Sequence, residues 1–330
     1  MKKKKIALLI ATKNRANSID YYLKEKLEEY YRYEMDVVIY DSSDDDDTSQ
    51  VIDKYSQYNN LFYHKYTDLP DDLYGTYKTM VALNSLSDTY EYVWLCGDQI
   101  IINYEMIYDR LTECMNKGYS LIHLYRKKDS EESGEIVDET ELFANHFWSM
   151  THWCASVISS ELIQKMTPYM LDYHKKGYVT VYCYAIYAAL VDANMRLYYL
   201  NLDFFTISPL RSLSLSWTKK DLLNGWMKAN YMGFINLPDK YNPYKNEAIK
   251  GMQKHVPLMT WGGIIRVRAT DNIDIKRFFE HYDEIAYFAK APMWWIEFIS
   301  IVPKWIAYLI TFVSEHTKAF IKHLIRRNSS

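Results

Sequence analysis

Glycine-rich phosphate-binding motifs are missing from this chain of 330 residues, which contains only 10 glycines. Neither G-x-G-x-x-G nor G-x-x-x-x-G-K-[ST] occurs in it. These motifs let a helix N-terminus hold the phosphates of dinucleotides and of nucleoside triphosphates. Their absence disfavours both a Rossmann dinucleotide site and a P-loop.

Cysteine is also scarce. The four cysteines, Cys96, Cys114, Cys154 and Cys183, form no C-x-x-C pair and no close cluster with histidine. Disulfide scaffolds and structural zinc sites depend on such patterns. The sequence therefore argues against both and fits a reducing compartment.

No charge of one sign dominates. The chain has 39 basic and 42 acidic residues, a net charge of −3, which excludes bulk electrostatic binding to nucleic acid and leaves only a local patch open. Hydrophobic residues make up 49% of the chain, enough for a sizeable core.

Aromatic residues are unusually abundant, with 32 Tyr and 9 Trp. Amphipathic rings suit carbohydrate sites and membrane interfaces, although a general preference for Tyr in the source genome explains them equally well.

No uninterrupted apolar run is long enough to cross a bilayer, which takes about 20 residues. The stretch from Met293 to Val313 has the length, but Glu297, Pro303 and Lys304 interrupt it. From residue 290 onward the chain has six basic and two acidic residues, a net charge of +4. An aromatic, basic, amphipathic tail is typical of a helix that lies on a membrane surface. Packing on the core or in a dimer interface, and a true span, remain alternatives.

Strand and helix patterns alternate along the first 125 residues. Buried strands are predicted at Ile6–Ala11, Asp36–Tyr40, Leu61–Tyr66, Tyr92–Leu95 and Leu121–Tyr125. Helices are predicted at Ser18–Tyr31, Thr48–Tyr58 and Tyr74–Leu86. This alternation favours an α/β fold with an open, mainly parallel sheet flanked by helices.

The second half is less regular. The acidic segment 131–141 is predicted to be a solvated loop, and Trp153–Ser159 to be a further strand. A C-terminal helical extension follows the α/β part.

Polar motifs follow three of the predicted strands. They read Ala11-Thr12-Lys13-Asn14-Arg15, Asp41-Ser42-Ser43-Asp44-Asp45 and Trp94-Leu95-Cys96-Gly97-Asp98-Gln99. Ligands of open α/β sheets bind at the carboxyl ends of the strands, where carboxylates accept hydrogen bonds or hold a divalent metal ion.

Together these motifs resemble family 2 glycosyltransferases of the GT-A fold, of the type that builds bacterial polysaccharides and other glycans. The resemblance covers residues 5–125 well and residues 150–200 weakly. It implies that Thr12, Asn14, Arg15 and Asp41 bind the nucleotide of a nucleotide-sugar. The family's Asp-x-Asp motif, which holds Mn²⁺ or Mg²⁺ on the diphosphate, matches Cys96-Gly97-Asp98, so that Asp98 alone is left as the implied metal ligand.

The resemblance also implies a general base in a Glu-Asp pair, but Tyr182-Cys183 stand at the matching position. Neither residue type suits a base at neutral pH. Two candidates remain open: His152, before the strand at 153–159, and Asp172, in a predicted loop before the next helix. The leaving diphosphate needs cationic partners, for which Arg15, Lys78 and Arg211 are candidates.

The expected function is transfer of a hexosyl or N-acetylhexosaminyl group from a nucleotide-sugar, expected to be a UDP-sugar, to a glycan or lipid-linked hydroxyl. By resemblance the reaction is metal-assisted and inverting. A non-catalytic nucleotide- or carbohydrate-binding subunit on the same fold is the alternative. The nucleotide-sugar half is expected at residues 1–125, the acceptor half at 126–270 and membrane-associated helices at 271–330. The expected location is the cytoplasm, peripheral at the inner face of the cell membrane, with a homo-oligomer possible.

Overall fold

The computed structural model describes residues 3–66, 76–125, 132–177, 181–191, 193–210, 222–255 and 259–328. The chain divides into two compact units. The first comprises Met1–Ser212 and Asn236–Ala248, and the second comprises Leu213–Ile235 and Ile249–Ser330. Arg211, one of the predicted cations, lies outside the described residues.

The first unit contains an eight-stranded mixed sheet in the order β3-β2-β1-β4-β8-β6-β9-β7. A separate antiparallel pair joins β5 to β10. The strands are β1 (Lys4–Thr12), β2 (Asp36–Asp41), β3 (Leu61–Lys65), β4 (Tyr90–Gly97), β5 (Ile100–Ile102), β6 (Leu121–Tyr125), β7 (Gly134–Ile136), β8 (Ser156–Ser159), β9 (Leu197–Asn201) and β10 (Phe205–Ile207).

Helices accompany this sheet. They are α1 (Ala16–Arg32), α2 (Asp47–Asp53), α3 (Thr76–Ser87), α4 (Tyr108–Asn116), α5 (Glu139–Met150), α6 (Ser160–Lys175) and α7 (Val181–Leu190). Helix α1 buries Ile19, Tyr22, Leu23, Leu27 and Tyr30, which recur every three or four residues and so form one apolar face. Strand β1 is buried from Ile6 to Thr12, and such a run is typical of a parallel strand covered on both faces.

The register of the central strands brings three strand ends together. Strand β1 is parallel to β2 and to β4, with Thr12 opposite Asp41 and Ala11 opposite Gly97. The three polar motifs found in the sequence therefore follow neighbouring strands at one edge of the sheet, as predicted.

The α/β fold with a mainly parallel sheet is confirmed, with local corrections. Strand β8 runs antiparallel to both β4 and β6, and it begins at Ser156 rather than at residue 153. The acidic segment predicted to be a loop contains β7 and the start of α5, where the Asp138 side chain caps the helix by accepting from Thr140 N–H and Glu141 N–H.

The described part of the second unit is helical. A π-helix at Leu222–Met227 leads into α8 (Lys228–Ile235), and α9 (Lys245–His255) crosses the boundary between the units. The remaining helices are α10 (Gly263–Ala269), α11 (Ile275–Glu280), α12 (Tyr282–Phe288), α13 (Met293–Ile301) and α14 (Lys304–Asn328). Together they form the predicted C-terminal helical extension. The functional division into nucleotide, acceptor and membrane parts stays a prediction.

Helices α13 and α14 are separated by a break at Val302 and Pro303. Val302 adopts an extended conformation (ψ 132°), which is the conformation that a following proline favours. In the described part of the chain, no single helix is long and apolar enough to cross a membrane. Residues 293–301 and 304–314 reach that length and composition only as a pair, and the pair is bent by 110°.

The indole of Trp94 should be a stability determinant of the first unit. Trp94 is fully buried on β4, and its Nε1–H donates to the Cys154 carbonyl over 2.9 Å. We expect Trp94→Phe to lower the free energy of unfolding by about 1–3 kcal/mol, because it removes a donor from a buried carbonyl. Urea unfolding followed by circular dichroism measures this change. The matched control is Trp294→Phe, at an exposed ring on α13, which should stay within about 0.5 kcal/mol of the parent. Equal effects of the two substitutions would contradict the assignment.

Candidate active site

Two strand-end loops are hydrogen-bonded to each other at the carboxyl edge of the sheet. The backbone N–H of Asn14 donates to Ser43 Oγ over 2.7 Å. The Asn14 side chain accepts from the Asp44 N–H over 3.0 Å and donates to Asp44 Oδ2 over 2.8 Å. Asn14 has a left-handed backbone (φ 53°), which asparagine tolerates better than most residues. The loop after β1 is thereby fixed to the turn after β2.

Asp41 is the centre of the turn after β2. Its side chain is fully buried. Oδ1 accepts from the backbone N–H of Ser43 over 2.8 Å and from Ser43 Oγ, and Oδ2 accepts from the Tyr63 hydroxyl over 2.9 Å. Burial, with the hydrogen bond to Asp41 as a second cause, raises the pKa of Tyr63, so this hydroxyl keeps its proton. Asp41 therefore shapes the turn, and direct contact between it and a nucleotide stays a prediction.

Asp98 lies directly after β4 and is buried. Thr12 Oγ1 donates to Asp98 Oδ2 and the Arg15 guanidinium donates to Oδ1, each over 2.8 Å. Arg15 is 29% exposed while the carboxylate is only 5% exposed. Both oxygens of Asp98 thus have partners, and the cation that holds one of them also reaches solvent.

Lys78 on α3 is buried rather than exposed at the surface. Its ammonium donates to the Thr12 carbonyl over 2.5 Å and to Ser42 Oγ over 2.8 Å. It therefore links the end of β1 to the start of the turn after β2. At the same edge, Arg15 forms an ion pair with Asp98.

His152 belongs to the turn between α5 and β8, and it is exposed. Because β8 runs antiparallel to β4, with Val157 opposite Trp94, the turn before β8 lies at the edge where β4 ends. The ring of Trp148 lies edge-on to the His152 imidazole, with centroids 5.7 Å apart. The structure thus brings His152 to the same edge of the sheet as Thr12 and Asp98.

His123 is a supporting residue that sequence reasoning missed. It is fully buried on β6, where Nδ1 lies 3.0 Å from the Ala155 carbonyl and Nε2 lies 2.8 Å from Ser149 Oγ. Burial lowers the pKa of His123 well below its ordinary value, so the ring is neutral and holds the turn around residue 155 by hydrogen bonding. The available signal was a lone polar residue inside the apolar strand LIHLY.

Asp172 was expected in a loop, and this expectation is wrong: it lies within α6, because the helix continues to Lys175. Its carboxylate is half-exposed and pairs with Lys176 over 2.6 Å. The ring of His174, near the end of α6, contacts Tyr77 at the start of α3, with centroids 4.9 Å apart. Because the neighbouring Lys78 bonds the end of β1, this end of α6 also lies at the carboxyl edge of the sheet.

The residues at the position of the family's Glu-Asp pair are buried in α7. Tyr182 donates its hydroxyl proton to the Met150 carbonyl over 3.0 Å, and burial raises the pKa of its phenol well above the ordinary value. Cys183 is fully buried beside it. Neither side chain can act as a base at this edge, as the sequence predicted.

The described residues do not fit a metal site built by the protein. Among them no group of three or more His, Cys, Asp and Glu side chains is placed to hold an ion. Asp98 already has Arg15 and Thr12 on its two oxygens. Cys96 is fully buried in the core, and burial raises the pKa of its thiol, whereas a metal ligand must be a thiolate. A cationic side chain, Arg15, holds Asp98 at the position where the resemblance implied a divalent metal ion.

No protein-family model matches the chain, and no curated protein sequence matches it. Among solved structures, the chain is similar to S. aureus TarS 1-349 in complex with UDP-GlcNAc, with 13% identity, a TM-score of 0.54 and 90% coverage of both chains. The complex of TarS 1-349 with UDP gives 14% identity, a TM-score of 0.53 and the same coverage. For the longer S. aureus TarS structure the values are 13% identity and a TM-score of 0.53, with 86% of this chain and 50% of that chain covered. This likeness establishes the fold, which is the GT-A fold.

Manganese alone should not bind at Asp98, because its two oxygens are held by Arg15 and Thr12. We expect titration of the nucleotide-free protein with Mn²⁺, followed by calorimetry, to show no binding that depends on this residue. The decisive comparison is between Asp98→Asn and Asp172→Asn, which removes an exposed carboxylate at the same edge. Saturable Mn²⁺ binding that is lost in Asp98→Asn and kept in Asp172→Asn would contradict this expectation.

Proposed function

We propose that this protein is a glycosyltransferase that takes its sugar from a UDP-sugar and transfers it to a hydroxyl of a glycan or lipid-linked acceptor. The observation that carries the proposal is a set of charged residues at the ends of three neighbouring strands. Asp41, Asp98 and Lys78 are buried there, and Arg15 is partly exposed beside Asp98. Ligands of open α/β sheets bind at this edge. The GT-A fold, shared with a structure that contains UDP-GlcNAc, supports the same assignment.

The nucleotide is proposed to bind along the two linked loops. Residues 12–15 and 42–44 form a rim whose shape is fixed by the Asn14 contacts and by Asp41. A preformed rim lowers the entropic cost of binding, because the loops are ordered before the ligand arrives. The nucleotide part of the UDP-sugar is proposed to lie against this rim, with Thr12 and Asn14 next to the uracil and the ribose.

Arg15 is proposed to meet the diphosphate. Its guanidinium has five N–H donors, and it is partly exposed beside the buried Asp98. It directly precedes α1, a helix of 17 residues that has no side-chain cap at its N-terminus and therefore carries partial positive charge there. As the bond between the sugar and the phosphate breaks, negative charge grows on the leaving group, and these groups offset it.

A base is needed to take the proton from the acceptor hydroxyl, whose oxygen then bonds the anomeric carbon while the nucleoside diphosphate leaves. His152 and Asp172 both lie at the carboxyl edge, and each is exposed enough to reach an acceptor. Attack opposite the leaving group inverts the anomeric centre, as the resemblance implies.

The alternative is a non-catalytic subunit that binds a nucleotide or a carbohydrate on the same fold. Two observations favour it. Tyr182 and Cys183, which the resemblance aligns with the family's base, are buried. The Asp98 carboxylate already accepts a hydrogen bond from Arg15. Turnover decides between the two functions, since both predict binding of UDP.

Binding of UDP should depend on Asp41. Asp41→Asn weakens the turn after β2, and we expect the Kd for UDP to rise by at least about tenfold, in line with the loss of a hydrogen bond to a charged group. Isothermal titration calorimetry measures the Kd. The matched control is Asp36→Asn at the other end of β2, a buried carboxylate that bonds Lys4 and Tyr90. The control should leave the Kd for UDP unchanged. An unchanged Kd in Asp41→Asn, with the fold intact, would remove the rim from the proposed site.

The rate of sugar transfer should show which of the two candidates, His152 or Asp172, is the general base. The substitution that removes the true base, His152→Ala or Asp172→Asn, should lower kcat by about 10²–10⁴-fold without changing the Kd for UDP. Release of UDP from UDP-GlcNAc in the presence of glycan acceptors is the assay, and each variant is the control for the other. If the parent protein binds UDP but turns over none of the UDP-sugars offered, the non-catalytic alternative holds.

A further inference from the structure

We propose that helices α13 and α14 form a docking surface for an anionic lipid membrane, on which the two helices lie in the plane of the interface. We call the exposed apolar side chains of these two helices, together with Trp261, the aromatic face. The proposal concerns the second unit alone and does not depend on the proposed function.

Helix α13 is apolar on its exposed face as well as on its buried face. Ile296 and Ile299 face inward, as expected, but Trp294, Phe298 and Ile301 are 62%, 55% and 62% exposed. These three are spaced by four and three residues, so they form one continuous stripe on the helix surface. Solvated helix faces normally carry polar residues, and here the single charge in the stripe is Glu297.

Helix α14 also exposes apolar side chains. Trp305, Tyr308, Leu309 and Phe312 recur every three or four residues, and each is about half-exposed or more. Val313 is exposed beside them. Both helices also pack on α10, so their inner faces are already used. An apolar stripe on a helix that is already packed against its own unit needs a partner outside the chain.

Trp261, which precedes α10, adds a third indole ring beside Trp294 and Trp295 of α13. Its ring lies 5.7 Å from that of Trp294 and 5.3 Å from that of Trp295. The Trp295 indole N–H donates to the Trp261 carbonyl over 3.1 Å. Clustered indoles with a polar N–H are enriched at the depth where lipid headgroups meet hydrocarbon. The cluster therefore matches the interface of a bilayer.

Charge complementarity selects an anionic membrane as the occupant. The chain is acidic overall, with a net charge of −3, but from residue 290 onward it has six basic and two acidic residues. Lys304 opens α14 next to the exposed Trp305 and is itself half-exposed, with Asp271 at 3.4 Å. Basic residues beside an apolar face are attracted to anionic headgroups, with each contributing about 1 kcal/mol near the surface. A second copy that docked through the same face would bring the same basic segment against it, and like charges repel.

The bend sets the orientation. Helix α13 has nine residues, a length of about 14 Å at 1.5 Å per residue, which is about half of a hydrocarbon core. The break of 110° turns α14 away from the axis of α13. A short α13, a sharp bend and an exposed apolar stripe along residues 304–313 of α14 suit a position in the interface plane rather than across the bilayer.

The test is flotation of the full chain with lipid vesicles. We expect it to float with vesicles made of equal parts phosphatidylcholine and phosphatidylglycerol, and to bind vesicles of phosphatidylcholine alone at least about tenfold more weakly. The triple variant Trp294→Ser, Phe298→Ser, Trp305→Ser should lower partitioning into the anionic vesicles by at least about tenfold, because three large apolar side chains lose their burial in lipid. All three side chains are exposed, so the fold should survive, which circular dichroism checks.

The matched control is Tyr31→Ser, Met106→Ser, Val137→Ser, three exposed apolar positions in the first unit, which should float as the parent does. The proposal is overturned if the parent does not float, or if the triple variant floats equally well. It is also overturned if sedimentation shows a dimer that the triple variant converts to a monomer, since a second copy would then cover the aromatic face. Equal binding to both vesicle types would overturn the claim that the surface prefers anionic lipid.

Discussion

The hydrogen bonding of two buried carboxylates, Asp41 after β2 and Asp98 after β4, is the constraint on which the site depends. A carboxylate out of water is costly unless hydrogen bonds or an opposite charge compensate it. Asp41 obtains three donors from its own turn and from Tyr63, and Asp98 obtains Thr12 and Arg15. Because Tyr63 reaches Asp41 from β3, and Thr12 and Arg15 reach Asp98 from the end of β1, satisfying these two carboxylates also links neighbouring strands at the edge.

Lys78 extends this constraint to the helices. Its ammonium holds the Thr12 carbonyl and Ser42 Oγ, and it lies one residue from Tyr77, which contacts His174. Lys78 thus links the loop after β1 to the turn after β2, and the residue before it contacts the end of α6, where Asp172 lies. On the other side, the Trp94 indole and the His123 imidazole hold the turn that carries His152. Buried polar contacts consequently hold the turn that carries His152, whereas Asp172 is placed by its position in α6.

The sequence was informative where local pattern and burial agree. The run from Ile6 to Ala11 and the face of α1 follow strand and helix periodicity, and their elements were predicted within a few residues. Partners that come from another strand were not predictable. Tyr63 reaches Asp41 only because of the register between β2 and β3. The hydrogen bond from Arg15 to Asp98 likewise depends on the pairing of β1 with β4, which cannot be read from a sequence motif.

The high aromatic content of the chain has two separate physical roles. In the first unit many rings belong to the core, and Tyr22 and Tyr30 are examples: their hydroxyls lie 2.9 Å apart, and Tyr30 donates to the Ile102 carbonyl. In the second unit, Trp294, Trp305 and Tyr308 are exposed on helices whose inner faces are already packed. A general preference for aromatic residues would not sort them in this way, since it has no reason to arrange exposed rings every three or four residues. The exposed stripe and the basic excess in the same segment are the two observations that support the proposed anionic membrane surface as its partner.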